Sequence, residues 1–271
     1  MSTPPEQATA RLLWFVGLTY AMSWAWWIPL AMSDTDVAPA QGWPTHLPGL
    51  AAPAVAAFLV TAAADGKAGL RELISRVLRC RVEWRWYGLI AGTAALSLLP
   101  VLTNTDHNIE EVFEYSGAPA VGIWIVAYVL VVNGFGEEIG WRGFLAEHLL
   151  ATRSVGRSAL LVWPIWALWH LPLFWVTTNF MELRGPGASG WVVGIGFGSV
   201  VLTWLYDRAS HSILVVALWH TAYNFTTATE ASAGTTAALV TAAVIVGSVG
   251  IMRRPATWGP PGAPATGTAR S

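Results

Sequence analysis

Long apolar runs alternate along this chain with short segments that hold nearly all of its charge. The runs predict helices over 12–32, 47–64, 86–103, 158–178, 188–206, 213–228 and 235–252, with a fourth in order opening over 119–133. That fourth helix is expected to continue through the acidic residues that follow, with Pro119 in its first turn, where a missing N–H costs nothing. Most of these runs approach the ~20 residues that a helix needs to cross a bilayer. The pattern predicts an all-α fold, a polytopic membrane bundle of about eight transmembrane helices. The first run is longer than the ~7–15 residues of a signal-peptide core, so it reads as a retained helix. The domain reading is a polar, unstructured 1–10, a helical domain over 11–254 with its catalytic core near 121–227, and a Pro/Gly/Ala-rich, unstructured tail over 255–271.

Composition agrees. The chain is 54% hydrophobic and 11% charged, with mean hydropathy +0.50; soluble domains carry about 25% charged residues. A net charge of −1 gives no field that would favour nucleic acid. Cys80 is the only cysteine, which excludes an intrachain disulfide. Counted over alternate connections, fourteen Lys and Arg fall on one side and only Arg184 on the other. Asp34, Asp36, Asp106, Glu110, Glu111, Glu114 and Glu230 fall on the arginine-poor side. The positive-inside rule then predicts a multi-pass protein of the cell membrane with both termini cytoplasmic. It also predicts that the end of the fourth helix, and with it Glu137 and Glu138, lies towards the cytoplasmic half. The arginine-rich 72–85 is first a topology signal and could also lie along the surface against anionic lipid. Gly190, Gly194 and Gly198 recur at four-residue spacing and predict close helix packing rather than a ligand role.

Candidate chemistry stands out against this apolar background. Two carboxylates and a guanidinium appear within Asn133-Gly-Phe-Gly-Glu-Glu-Ile-Gly-Trp-Arg142. Charge in a membrane segment is costly unless paired or functional. Glu138 and Arg142 are i and i+4 and share a helix face. Glu137 lies about 100° around the helix, away from that arginine, and is left free for chemistry. His170 is flanked by Pro164 and Pro172, and Pro172 deprives the Leu168 carbonyl of its helical donor. A bent or opened helix around an imidazole follows. His220 and Asn224 are again i and i+4, two aligned donors able to stabilise an oxyanion. One polar group alone is commonly a fastener between helices. Six from three helices are more cheaply gathered around one wet cavity. His46, His107 and His211 fall in loops or at helix ends and look ordinary, and His148 belongs to no His-Glu-x-x-His motif.

In order and inner spacing, Glu137-Glu138-x-x-x-Arg142, Trp166-x-x-x-His170 and His220-x-x-x-Asn224 resemble the three motifs of the CAAX protease and bacteriocin-processing family. These are glutamate-type intramembrane endopeptidases built on multiple transmembrane helices. Trp166 stands where phenylalanine is common, a mild departure. The resemblance implies that Glu137 and His170 activate water, that His220 and Asn224 form the oxyanion site, and that Glu138 and Arg142 support the structure. It implies a peptide or membrane-protein substrate, such as a prenylated tail or a peptide precursor, met in the lipid bilayer, and no cofactor or metal.

Three rival readings stand beside it. Glu137, His170 and His220 could form a two-His, one-carboxylate zinc site of a metalloprotease. Intramembrane Glu and His also mark transporters and proton relays, although the internal repeats common in transporters are not evident. The third is a non-catalytic scaffold.

Overall fold

The computed structural model describes residues 5–33, 36–103, 108–232 and 234–260. Asp34, Asp106, His107, Arg270 and the rest of the tail from 261 lie outside the described residues. Helical rods follow one another with only isolated bridges between loops. They are α1 (Pro5–Ala31), α2 (Leu47–Val77), α3 (Trp84–Leu96), α4 (124–150), α5 (Val155–Trp169), α6 (Pro186–Arg208), α7 (Ile213–Phe225) and α8 (Thr235–Met252). Four helical segments, Leu47–Val77, Val155–Trp175, Pro186–Arg208 and Thr235–Met252, are long and apolar enough to cross a membrane by length and composition alone. Large apolar side chains such as Trp14, Leu59, Val131, Leu239 and Val246 are exposed, as lipid-facing surfaces require. This is a multi-pass, all-α membrane bundle.

Several boundaries differ from the sequence reading, each for a local reason. Helix α1 begins at Pro5, inside the stretch expected to be unstructured. Helix α4 begins at Trp124, not near Pro119, because Gly117 and Gly122 take positive φ of 64° and 56° and turn the chain before it. The third rod is interrupted after Leu96 and resumes over Leu99–Thr103. Helix α2 bends at Gly66, whose φ of 60° and ψ of −149° no side chain would tolerate there. Beyond the bend, Arg76 and Arg79 turn into the protein: Arg76 meets the Gly143 carbonyl at 3.0 Å and Arg79 the Ser210 carbonyl at 2.6 Å. Past Arg254 the chain makes a short 3₁₀ turn, Pro255–Thr257, and the Trp258 ring lies so close over Gly156 that an added Cβ would sit 2.7 Å from it.

Alternate connections gather at opposite ends of the bundle. At one end Val37 N–H donates to the Val176 carbonyl at 2.8 Å, Ser116 N–H to Ala228 at 3.0 Å and Glu230 N–H to Glu114 at 3.1 Å. There, Thr45 also donates its hydroxyl to the Gly117 carbonyl. At the other end Arg11 pairs with Asp65 at 2.9 Å, and Ser212 Oγ donates to the Arg79 carbonyl at 2.6 Å. The two sets of loops distinguished by their arginine content are therefore two physical ends.

Candidate active site

Glycine places the acidic pair. A Cβ on Gly136 would lie 2.8 Å from the Leu50 carbonyl oxygen, and one on Gly140 would lie 2.7 Å from that of Pro53. Without side chains at these positions, α4 rides backbone to backbone on α2. Residues Gly136–Gly140 form one α-helical turn between two π-helical stretches, Leu130–Phe135 and Trp141–Ala146. Such π turns are frequent at functional sites because they re-aim side chains within a helix.

The two glutamates meet different partners. Glu138 is fully buried and accepts from Arg142 Nη1 at 2.9 Å and from His220 Nδ1 at 2.7 Å through the same oxygen, Oε1. The Arg142 guanidinium also lies over the Trp166 ring, 4.4 Å from its centre. Glu137, 2% exposed, has no arginine. Its Oε2 accepts from Trp166 Nε1 at 2.7 Å and its Oε1 from Asn133 Nδ2 at 3.3 Å. Glu137 thus has an intrahelical partner after all, a neutral amide one turn back, which the expectation of an unpartnered acid missed.

His170 sits where α5 stops. Pro172 cannot donate to Leu168, and the chain tightens into the 3₁₀ turn Leu171–Trp175. Side chains take up carbonyls near the break: Trp24 Nε1 donates to Trp169 at 3.0 Å, and His170 Nδ1 donates to Trp166 at 2.7 Å. A carbonyl only accepts, so His170 carries its proton on Nδ1 and turns Nε2 to the cavity when neutral. The same logic applies to His220, whose Nδ1 donates to Glu138. Asn224 Nδ2 donates to Asn133 Oδ1 at 2.6 Å, completing a chain from Asn224 through Asn133 to Glu137. Behind the site, Trp27 and Trp141 pack on Trp169, with centroids 4.8 and 5.4 Å away.

Glu137, His170, His220 and Asn224 line one cavity of about 510 Å³, while Glu138 and Arg142 lie behind it. Trp166 joins its members. Its indole holds Glu137, its carbonyl holds His170, and its ring stands edge-on to His220 at 5.7 Å. Three lining residues were missed or misjudged from sequence. His46 is buried, with Nδ1 unpartnered, so it is not an ordinary loop histidine. Tyr115 and Asn133 also line the cavity. Asn133 was detectable, since it stands at i−4 from Glu137. Tyr115 and His46 reach the site through loop packing that no local pattern encodes.

Two further expectations are corrected. Glu137 lies midway along α4, thirteen residues from each end, and its cavity is walled by Ser116, Thr177 and Asn179 from the arginine-poor end. The expected shift towards the arginine-rich half is therefore absent. Gly190 and Gly194 do not serve close packing: an added Cβ would meet nothing within 4 Å, and both line the cavity. Gly198 of that series meets the Trp166 ring only at 3.9 Å, and the close neighbour belongs to Gly196, off the spacing, where an added Cβ would lie 2.8 Å from Trp163. Among the described residues, no group of three or more His, Cys, Asp and Glu is placed to hold a metal ion.

Residues 119–226 match the model of a family described as type II CAAX prenyl endopeptidase, Rce1-like. Over 186 residues the chain is 24% identical to CAAX prenyl protease 2 of Methanococcus maripaludis, in an alignment covering 64% of this chain and 68% of that protein. The matched segment contains Glu137, Glu138, Arg142, His170, His220 and Asn224.

Proposed function

From the premise that residues 119–226 carry a domain of the Rce1-like CAAX prenyl endopeptidase family, we propose that this chain is an intramembrane endopeptidase that uses Glu137 and His170 to activate water. The observation that carries this reading is the single cavity in which Glu137, His170, His220 and Asn224 meet from α4, the end of α5 and α7.

Amide hydrolysis needs a base for water, stabilisation of the tetrahedral oxyanion and a proton for the departing amine. Glu137 is the base. Its hydrogen bonds come from neutral groups, while the arginine is engaged by Glu138. His170 Nε2 accepts the second hydrogen of the water and orients it. The water oxygen bonds to the carbonyl carbon as its proton moves to Glu137. When the C–N bond breaks, that proton passes to the amine, leaving a carboxyl and an amino terminus. Asn224 has one N–H on Asn133 and a second for the oxyanion. His220 donates from Nε2 only when its ring carries both protons, the form that the Glu138 carboxylate at 2.7 Å pairs as an ion. No step in this scheme requires a metal.

The substrate in this reading is a peptide or membrane-protein segment held within the bilayer. Both chain ends as described, Pro5 and the segment after Arg254, belong to the arginine-rich end, which the reading assigns to the cytoplasm. The test is mass spectrometry of membrane peptides cut by purified protein, with Glu137→Gln as control and a chelator in a parallel arm. Cleavage by wild type that survives chelation and vanishes in the variant is expected. Normal turnover by the variant would overturn the assignment.

A further inference from the structure

One imidazole of the cavity takes no part in the hydrolysis steps. His46, the residue just before α2, is only 6% exposed and lines the cavity together with Glu137, His170 and His220. Its backbone is pinned. Trp27 Nε1 donates to its carbonyl at 2.8 Å, Trp26 Nε1 donates to the Thr45 carbonyl at 2.9 Å, and the Thr45 hydroxyl donates to the Gly117 carbonyl. Trp27 also packs on Trp169, which stands edge-on to the His170 ring at 4.7 Å. One aromatic stack therefore fixes both imidazoles. Gly117 makes room for the His46 ring: at its φ of 64°, an added Cβ would lie 2.5 Å from Nδ1.

Nδ1 is sealed there with no hydrogen-bond partner among the described residues. A proton on it would make a buried N–H without an acceptor, which folded proteins almost never keep; an unmet lone pair is less rare. A doubly protonated ring would keep that orphan N–H and add a buried charge close enough to His170 for the two rings to interact. His46 is therefore neutral with its proton on Nε2, the nitrogen left for the cavity. His170 has the opposite polarity, because its Nδ1 is committed to the Trp166 carbonyl and its Nε2 accepts. A peptide drawn into this cavity takes carbonyls beside the scissile one out of water, and each needs a donor.

We infer that His46 is a substrate-binding residue whose Nε2–H donates to a backbone carbonyl of the peptide beside the scissile bond. This rests on the reading of the cavity as the place of cleavage. The two imidazoles then divide the work: His170 accepts from the water, and His46 holds the peptide.

The first test needs no turnover. Protein isotopically labelled in its histidine rings is placed in lipid nanodiscs, and nitrogen NMR reads each tautomer near neutral pH, with His46→Gln and His170→Gln to assign the signals. His46 should be neutral with its proton on Nε2, and His170 neutral with its proton on Nδ1. A proton on His46 Nδ1 would overturn the proposal. The second test uses a synthetic copy of the membrane peptide that the purified protein cuts fastest. His46→Phe keeps a ring without the donor and should raise KM ~10–100-fold, with kcat within a factor of about three, the signature of lost ground-state binding. His46→Gln restores an N–H at similar reach and should recover most of that loss. A fall in kcat and melting temperature at unchanged KM, or no recovery in His46→Gln, would make His46 a structural residue and overturn the proposal. Failure of the protease reading shows separately, as normal cleavage of the same peptide by Glu137→Gln.

Discussion

Two polar clusters in this bundle are made of nearly the same parts. In the middle, Glu137, Glu138, Arg142, His170 and His220 meet around Trp166. At the arginine-rich end, Glu147 accepts from Tyr206 at 2.8 Å and His211 at 2.6 Å, and Arg76 lies 3.2 Å away. Arg76 also donates to the Tyr206 hydroxyl at 2.9 Å. Each has glutamate, arginine, histidine and an aromatic partner. The end cluster converges on one carboxylate oxygen, and none of its members lines the cavity. The middle cluster faces a cavity with Nε2 of two imidazoles and an acid held only by neutral donors. Residue types therefore do not define a site. Hydrogen-bonding capacity left facing a substrate-sized space does.

The comparison can be broken most directly at Glu137. Glu137→Gln keeps the shape and both neighbours but removes the base, so cleavage should fall ~10²–10⁴-fold, with the melting temperature nearly unchanged. An equal loss from Glu147→Gln would erase the distinction between clusters. Next is Arg142→Ala, which strands Glu138 inside the bundle. A loss of about 3–5 kcal/mol in stability is expected, read as a lower melting temperature and yield; a stable but inactive variant would instead give Arg142 a part in the reaction. Asn224→Ala should cut turnover ~10²–10³-fold, the usual effect of one oxyanion donor, and leave a measurable remainder. Tyr206→Phe should cost about 1–3 kcal/mol of stability and leave kcat within a factor of about two, since no reacting atom is near.

The smallest effect concerns pH. The Glu147 hydrogen bond, working against burial, raises the His211 pKa above its ordinary 6.5. A raised folded-state value means that the pair stabilises fully below 6.5 and that this contribution is lost as pH rises through the raised value. Melting curves from about pH 6 to about pH 9 should decline in wild type and be flatter in His211→Gln. Identical slopes would detach this histidine from Glu147.

What could be read from sequence follows the range of the interaction. The Glu138–Arg142 pair was legible because i,i+4 geometry is local. So was the break at His170, because Pro172 acts on its own helix. The stop before α4 was not, since Gly117 and Gly122 look like ordinary loop glycines until their φ is known. Gly190 and Gly194 share the spacing of packing glycines, yet border empty space, and periodicity cannot distinguish a neighbour from a void. Which loop residues line the cavity depends on how four connections from distant parts of the chain pack together, and no local pattern contains that.

The indole at position 166 has a consequence for sequence variation at this site. A phenylalanine there would keep the backbone oxygen that fixes the His170 tautomer but would release the Glu137 carboxylate from its 2.7 Å tether. Trp166→Phe therefore uncouples the aim of the imidazole from that of the acid, two settings that this chain has vested in one side chain and its own peptide group. Chains that differ at this one position would need another donor to steer the glutamate, or would leave it to the longer hydrogen bond from Asn133.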